Sequence, residues 1–216
     1  MMEFDPVSYL LGAASGGGAR SKFLGDMYLV QGYETPEGIR MGTLDSTNVT
    51  YFIPIDGSGS IVKLDTSQPF EFGITIRFSD FDTVAALCGQ FGSTSWGTGN
   101  RAPSIVVSGA NYVAFALPGA STWESVINPI PEGYSLPTDT DIFFKAEYDG
   151  EKWKAYINDG TEEMTAEAAV NTPYYSSANY MVFANQGMSS YPPRAGIYKL
   201  RGLYMKQNGV LIWGRE

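Results

Sequence analysis

The sequence predicts an all-β protein: an antiparallel two-sheet β-sandwich, preceded by a short N-terminal helix and a flexible linker. Three observations indicate this fold class. Turn signals recur about every ten residues from position 43 onward, as in sandwiches of short strands. Apolar and polar residues alternate in the clearest segments between the turns, which is the pattern of half-buried strands. Helical periodicity is scarce, and 12 Phe, 14 Tyr and 4 Trp can supply a core for one large domain.

The first 21 residues are predicted to form a separate unit, with the sandwich domain at residues 22–216. Asp5-Pro6 is typical of a helix start. The helix would carry an apolar stripe made of Phe4, Val7, Leu10 and Leu11. The AASGGGARS segment after it is typical of a flexible linker. Because so short a helix is not stable alone in water, we expect the stripe to dock on its own domain or on another chain.

The apolar segment at residues 6–14 does not fit a signal peptide. Glu3 and Asp5 precede it, where a signal peptide carries positive charge. We therefore expect synthesis in the cytoplasm without a cleaved signal. No apolar run approaches the ~20 residues of a membrane-spanning helix, so no membrane partner is expected.

Strands bounded by turn residues are predicted along the rest of the chain. They cover residues 27–31, 49–54, 59–63, 70–78, 83–90, 104–107, 112–116, 142–148, 152–157, 180–185, 196–205 and 210–213, with a turn at 35–38. Residues 84–88 could instead form a helical turn. The segment EEMTAEAAV at 162–170 is the best candidate for a helix, and a bare loop is its alternative.

The clearest element is a β-hairpin at residues 142–160. Asp149-Gly150 provides the positive-φ residues that a two-residue turn requires, and a turn centred there sets Ala146 opposite Trp153. In this register one face of the hairpin is apolar. That face consists of Phe144, Ala146, Tyr148, Trp153, Ala155 and Ile157. We therefore predict that Trp153 is buried between the two sheets; Trp213 also lies on a strand and is predicted to be core.

The opposite face of this hairpin is charged. Glu147 would lie across from Lys152 as an ion pair, whereas Lys145 would lie across from Lys154, an unfavourable pairing of like charges. The hairpin is therefore predicted to have one buried and one solvated face.

The same hairpin carries a family resemblance. Its pattern, an apolar strand ending in Tyr148-Asp149-Gly150 and then Trp153-x-x-Tyr156-Ile157-Asn158-x-Gly160, is similar to the central hairpin of concanavalin A-like and laminin-G-like jelly rolls. The segments at 70–78 and 196–212 resemble their early strand and closing strand pair. The resemblance covers roughly residues 43 to 216 and implies a jelly-roll sandwich, a fold that hosts lectins, glucanases and structural modules.

The leader carries a second resemblance. FDPVSYLLG at residues 4–12, followed by three glycines, resembles the leaders of structural proteins in bacteriophages of gut bacteria. It implies a fibre, tail or capsid-decorating protein at the virion surface, made in the host cytoplasm. The apolar stripe would then dock on a virion protein or on sister subunits of a homo-oligomer.

Composition excludes several classes of function. The formal net charge of −9 argues against nucleic-acid binding, which needs a basic surface. The absence of histidine removes Ser-His-Asp catalysis, imidazole bases and nearly every catalytic zinc site. Cys88 is the only cysteine, so no internal disulfide can form, and its apolar neighbours predict a buried, unreactive thiol. Charged residues make up only 17%, which is typical of extracellular or virion-surface β proteins.

Neither a catalytic nor a metal site is predicted. Glycosidases of this sandwich fold place acids alternately along one strand, and Glu147-Tyr148-Asp149-Gly150-Glu151 is one residue too short and interrupted by the turn. Calcium could use Asp80 with Asp82, or Asp139 with Asp141. Neither pair has third and fourth ligands nearby in the sequence, so we predict no cofactor.

Carbohydrate binding is the function that the loops favour, because sugar rings stack on exposed aromatic rings and amides or carboxylates hold the hydroxyls. The predicted ligand-binding residues are Trp96, Asn100, Arg101, Trp123, Tyr174, Tyr175, Asn185 and Tyr191. The alternative for each of them is packing at the ends of the sandwich or in a subunit contact.

We therefore expect a non-enzymatic virion-surface protein with a lectin-like domain that binds host or mucosal glycan or simply coats the particle. A secreted bacterial glycan-binding module is the alternative, and a glycosidase is a third, disfavoured by the carboxylate spacing.

Overall fold

The structure is a computed structural model. It describes residues 27–29, 33–35, 38–40, 52–54, 56, 60–81, 85–89, 102–119, 123–170, 181–183 and 197–214. The predicted leader and linker at residues 1–21 lie outside this part of the chain. None of the described residues belongs to a helix long and apolar enough to span a membrane.

All regular structure among the described residues is β-strand. The strands are β1 (Met27–Leu29), β2 (Tyr33–Thr35), β3 (Gly38–Arg40), β4 (Phe52–Pro54), β5 (Phe70–Phe78), β6 (Ala85–Gly89), β7 (Ser104–Val107), β8 (Val113–Pro118), β9 (Trp123–Ile127), β10 (Asp141–Tyr148), β11 (Lys152–Asn158), β12 (Glu163–Ala169), β13 (Val182–Phe183), β14 (Ile197–Gln207) and β15 (Val210–Gly214).

The strands form two antiparallel sheets, which confirms the predicted β-sandwich. One sheet has seven strands in the order β1-β4-β13-β6-β7-β8-β9. The other has eight, in the order β12-β11-β10-β5-β14-β3-β2, with β15 also paired to β14. The longest strands, β5, β10 and β14, lie side by side at the centre of the larger sheet.

The core lies between the sheets, and the central strands of the larger sheet contribute alternate residues to it. Burial alternates with period two along β10 and β11, as expected when one face of a sheet is covered. The largest fully buried side chains include Trp153, Phe72, Phe78, Phe115 and Phe144. The predicted burial of Trp153 is confirmed.

Trp153 also ties the two sheets together. Its indole Nε1 donates a hydrogen bond of 3.1 Å to the carbonyl oxygen of Phe115, which lies in β8 of the smaller sheet. Phe70 and Phe72 of β5 flank the indole, with ring centroids 5.9 and 6.4 Å away. Trp213 is buried as predicted, and so is Cys88, whose burial raises the pKa of its thiol.

The predicted register of the central hairpin is wrong by two residues. Tyr148, not Ala146, is the partner of Trp153. The cause is the Asp149 side chain, whose carboxylate accepts hydrogen bonds from the backbone N–H groups of Glu151 at 2.9 Å and Lys152 at 2.8 Å. These bonds stabilise a wider turn, in which four residues instead of two lie between the last paired residues, Tyr148 and Trp153.

The shift of two leaves every side chain on its predicted face, because side chains alternate with period two. It also removes the one poor pairing in the predicted register. Lys154 lies opposite Glu147 instead of Lys145, and Lys145 lies opposite Tyr156.

Residues 162–170 form neither the predicted helix nor the loop that was its alternative. The segment contains β12, an edge strand that pairs along its length with β11. Met164, Ala166 and Ala168 are more buried than the residues between them. Hydrogen bonding to β11 and burial of Met164 therefore outweigh the helix propensity of Ala, Glu and Met. Residues 85–89 are likewise a strand and not a helical turn. β2, β3 and β9 were not predicted, and the strand predicted at residues 59–63 is absent over its described residues 60–63.

Candidate functional site: the polar face of the larger sheet

Most of the sequence-predicted binding residues lie outside the part of the chain that the structure describes. These are Trp96, Asn100, Arg101, Tyr174, Tyr175, Asn185 and Tyr191. Trp123 is the first residue of β9, but its side chain is likewise outside the described part. Trp123 therefore lies on a strand and not in the loop predicted for it, and the grouping of the other residues at loops stays a prediction.

The described residues present a different candidate, the outward-facing surface of β14, β5, β10, β11 and β12, which we call the polar face. Two rows of side chains cross these strands in register. The charged row consists of Lys206, Glu71, Glu147, Lys154 and Glu167. The tyrosine row consists of Tyr204, Gly73, Lys145, Tyr156 and Thr165. Two residues of strand, about 7 Å, separate the rows.

Two carboxylates lie directly opposite each other in the charged row. Glu71 and Glu147 are Cα partners on adjacent strands, an arrangement that is unfavourable for like charges. Lys145 relieves it, because its Nζ lies 3.7 Å from a carboxylate oxygen of each. Lys206 Nζ lies 3.3 Å from Glu71, and Lys154 Nζ lies 3.4 Å from Glu147. Three lysines therefore offset the repulsion between the Glu71 and Glu147 carboxylates.

Tyr204 fills the gap that Gly73 leaves in the tyrosine row. A Cβ at position 73 would lie 2.5 Å from Cε1 of Tyr204 and 3.0 Å from Cε2 of Phe143, so both rings converge on the glycine. The Tyr204 hydroxyl donates a hydrogen bond of 2.6 Å to Glu71. Position 73 therefore has to be glycine, because a larger side chain would collide with the Tyr204 ring. The ring covers the backbone of the central strand at this point.

The aromatic surface continues across β10 and β11. Phe143 and Tyr156 are partly exposed, and their rings meet edge to face with centroids 6.0 Å apart. Lys145 Nζ lies 5.7 Å from the centroid of the Tyr156 ring. Apolar ring surface, cations and carboxylates therefore alternate within one continuous patch.

The electrostatics of the patch favour ionised carboxylates. Burial alone would raise the pKa of Glu71, but the hydrogen bond from Tyr204 and the charges of Lys145 and Lys206 hold it below its ordinary value. Burial and the adjacent Glu71 raise the pKa of Tyr204. At neutral pH Tyr204 is therefore a neutral hydrogen-bond donor beside an ionised Glu71.

The loop at the end of the patch is held by Asp149. Its carboxylate lies 2.7 Å from Lys154 Nζ, and this hydrogen bond, with those from the Glu151 and Lys152 backbone, lowers the pKa of Asp149 to about 2. In the next turn, the Asp159 side chain accepts hydrogen bonds from Tyr134, Thr161 and Glu162. These bonds outweigh its burial and lower its pKa to about 2 as well.

We predict that acid destabilises the fold through these groups. A carboxyl whose pKa is lower in the folded than in the unfolded state stabilises the fold above its unfolded pKa, and this contribution is lost as pH falls. The free energy of unfolding should therefore decrease between about pH 5 and about pH 2, measured by urea unfolding across that range. In Asp149→Asn the decrease should be shallower; an unchanged slope would contradict the role of Asp149.

No metal site is found among the described residues, where no group of three or more His, Cys, Asp or Glu side chains could hold an ion. Of the two aspartate pairs considered for calcium, Asp82 lies outside the described residues, and Asp141 accepts a hydrogen bond of 2.6 Å from Arg77 Nε. A row of acids along one strand, as in the glycosidases of this fold, is not formed here. Glu147 lies on β10, whereas Asp149 and Glu151 lie in the loop after it.

The opposition of Glu71 and Glu147 was not predicted, because the two acids lie on different strands and do not alternate along one. The two strands were both predicted, but their neighbourhood and register depend on tertiary pairing. Glu147 was already predicted on the solvated face of the hairpin. For Glu71, the alternation of residues 71 and 73 with apolar residues along the strand is the signal that predicts the same face.

No protein-family model matches the chain, and no curated protein matches its sequence. Solved structures do match in fold. Tailspike protein 2 from an Escherichia coli O157:H7 bacteriophage has a TM-score of 0.56 at 10% identity, covering 88% of this chain and 26% of the tailspike. A sialidase from Trypanosoma rangeli has a TM-score of 0.52 at 11% identity, covering 87% of this chain and 29% of the enzyme.

A third similar structure is a single domain of comparable length. The exoplasmic/lumenal domain of VIP36, in its Ca2+/Man3GlcNAc-bound form, has a TM-score of 0.50 at 10% identity, and the match covers 84% of this chain and 83% of that domain. At such identities the likeness shows a common β-sandwich fold alone. The chain spans 26% of the tailspike and 29% of the sialidase.

Proposed function

We propose that this protein is a non-enzymatic, glycan-binding protein of a virion surface, built on a concanavalin A-like or laminin-G-like jelly roll. The observation that carries the proposal is the polar face, where aromatic rings lie among carboxylates and lysines on five adjacent strands. Sugars present apolar C–H surfaces and hydroxyl groups that both donate and accept hydrogen bonds. The polar face offers a partner for each of these groups.

The rigidity of the patch supports this function. The side chains project from central strands of a packed sheet, and ion pairs and ring contacts hold several of them in place. Binding groups that are already ordered lose little conformational entropy when a ligand arrives. The fold is compatible with the role, since the VIP36 domain is a sandwich of similar size in a glycan-bound form.

A glycan array probed with the full chain tests the proposal. We expect binding to a restricted set of glycans, reproduced in solution by titration calorimetry. Mass determination in solution would reveal whether several copies act together, as in multivalent glycan binding. Absence of binding to every glycan, in a sample that unfolds cooperatively, would contradict the proposal.

A glycosidase is the competing function, and the opposition of Glu71 and Glu147 is the observation that favours it. Acid catalysis by a carboxyl needs a raised pKa, in contrast to the lowered pKa of Glu71. Three lysines also compensate the charges of the two acids. These features support a binding surface rather than a general acid.

We therefore predict that the protein releases no reducing ends from β-glucans or other polysaccharides during prolonged incubation. The measurement is a reducing-sugar assay beside a known glucanase as the positive control. Turnover that disappears in both Glu71→Gln and Glu147→Gln would assign hydrolytic chemistry to the polar face.

The virion location rests on the leader and on the fold. Its apolar stripe, Phe4, Val7, Leu10 and Leu11, would dock on a virion protein or on sister subunits, and a tailspike is among the proteins of similar fold. The alternative is that the protein is a glycan-binding module secreted by a bacterium.

Removal of residues 1–21 should leave a domain that is soluble and unfolds cooperatively, with a nearly unchanged midpoint. The truncated chain should fail to join particles or should lose its oligomeric mass. Collapse of the fold after truncation would instead make the leader part of the domain core.

A further inference from the structure

We propose that the polar face selects uncharged glycans over acidic ones, with Glu147 as the principal acceptor of sugar hydroxyls. This inference rests on the proposed glycan-binding function and adds the class of glycan. It follows from the charge balance of the face and from the distances around Glu147.

Every cation of the face whose side chain the structure describes has a carboxylate partner within 4 Å; Lys199 and Arg201, which the register of β14 sets opposite Arg77 and Thr75, have side chains outside the described part. The pairs are Arg77 with Asp141, Lys145 with Glu71 and Glu147, Lys152 with Glu167, Lys154 with Glu147 and Asp149, and Lys206 with Glu71. These five cations are matched by five carboxylates, so the described ion pairs have no surplus positive charge. An acidic sugar would have to displace a carboxylate from a lysine to gain a contact of the same kind.

The centre of the face adds repulsion. An anion bound near Lys145 would lie beside both Glu71 and Glu147, the two opposed carboxylates of the charged row. The chain as a whole carries a formal net charge of −9, which also disfavours the approach of acidic polymers. Uncharged hydroxyls meet neither penalty.

Glu147 retains capacity to accept hydrogen bonds. Its two carboxylate oxygens lie 3.4 Å from Lys154 Nζ and 3.7 Å from Lys145 Nζ, both beyond the 2.7–2.9 Å that is typical of a charge-assisted hydrogen bond. Glu71 is more fully used, because one oxygen accepts the Tyr204 hydroxyl at 2.6 Å. A carboxylate can accept about four hydrogen bonds, so Glu147 can take two sugar hydroxyls without losing its lysines.

The neighbouring rings complete the site. Tyr156 is a register neighbour of Lys145 on the next strand, and Phe143 packs against it edge to face. Tyr156 lies one strand across and two residues along from Glu147, and Phe143 lies four residues, about 13 Å, along β10, so an oligosaccharide can contact the carboxylate and both rings. The ligand is thus an uncharged oligosaccharide that lies across β10 and β11.

Titration calorimetry on the full chain tests this inference. The probes are an uncharged oligosaccharide from the array and the same backbone carrying carboxyl or sulfate groups. We expect the uncharged form to bind at least about tenfold more tightly, with affinity nearly constant between about 0.05 M and about 0.5 M salt. Tighter binding of the acidic form, weakened by salt, would overturn the inference and leave the proposed function standing.

Two variants and a matched control test the placement. Glu147→Gln and Tyr156→Ala should each weaken binding of the uncharged oligosaccharide by about tenfold. Glu167→Gln, in the same row but at the edge strand, should change it by less than about twofold, with unfolding midpoints recorded for all three. Affinity that is unchanged in both variants but lost in Trp96→Ala or Trp123→Ala would move the site to the loops. Absence of all glycan binding in folded protein would remove the proposed function itself.

Discussion

Replacement of Trp153 by alanine is expected to lower the free energy of unfolding by about 3–5 kcal/mol. The indole is fully buried and packs against Phe70 and Phe72 of β5. It also donates the hydrogen bond to Phe115 that joins the larger sheet to the smaller one. Truncation would leave a cavity between the sheets and a buried carbonyl oxygen without its indole donor.

Trp153→Phe is the matched control, because it keeps a buried aromatic ring while it removes the N–H donor and part of the indole. Its cost should be smaller, about 1–3 kcal/mol, since the cavity is smaller and only the hydrogen bond to Phe115 is lost in addition. Both values come from urea unfolding with the slope m checked for constancy. A loss under about 1 kcal/mol for Trp153→Ala would mean that Trp153 does not lie between the sheets.

Gly73→Ala is expected to destabilise the protein by about 1–3 kcal/mol, although Gly73 lies on a regular strand where alanine normally fits. The added methyl would meet Cε1 and Cζ of Tyr204 at 2.5 and 2.9 Å and Cε2 of Phe143 at 3.0 Å. Tyr204 cannot move aside cheaply, because it is buried and hydrogen-bonded to Glu71. The cost is therefore steric and comes mainly from the Tyr204 ring.

A double-mutant cycle with Tyr204→Ala isolates that cause. In the Tyr204→Ala background the ring is absent, so Gly73→Ala should cost little or should stabilise the strand. If Gly73→Ala lowers the free energy of unfolding equally in both backgrounds, the Tyr204 ring is not the reason for glycine at position 73.

The strands predicted best from the sequence are those whose boundaries and buried face are both determined by neighbouring residues in the chain. Residues 70–78 and 104–107 were predicted with the bounds that β5 and β7 have. The buried face of Trp153 was also predicted correctly, since the face depends only on alternation along the strand. The register was not, because the loop length was decided by hydrogen bonds from the backbone to the Asp149 side chain.

The assignment of β12 required knowledge of its partner. Glu163, Ala166 and Ala169 belong to residue types that favour helices, and nothing local opposes a helix there. Only pairing with β11 supplies hydrogen bonds in the extended form. Edge strands of this kind are predictable only after the neighbouring strand has been placed.

The polar face likewise depends on tertiary pairing. Glu71 and Glu147 are far apart in sequence and become neighbours because β5 pairs with β10. The sequence instead pointed to aromatic residues in loops, and those residues lie outside the described part of the chain, apart from the backbone of Trp123. The two candidate sites are therefore separate hypotheses about where one ligand class binds.

A crystal structure of the complex with the tightest-binding glycan would test whether the polar face is the binding site. We expect sugar density over β10 and β11, with a hydroxyl within hydrogen-bond distance of Glu147 and a ring against Tyr156 or Phe143. Sugar bound on the smaller sheet or at the loops, with the polar face bare, would contradict this expectation.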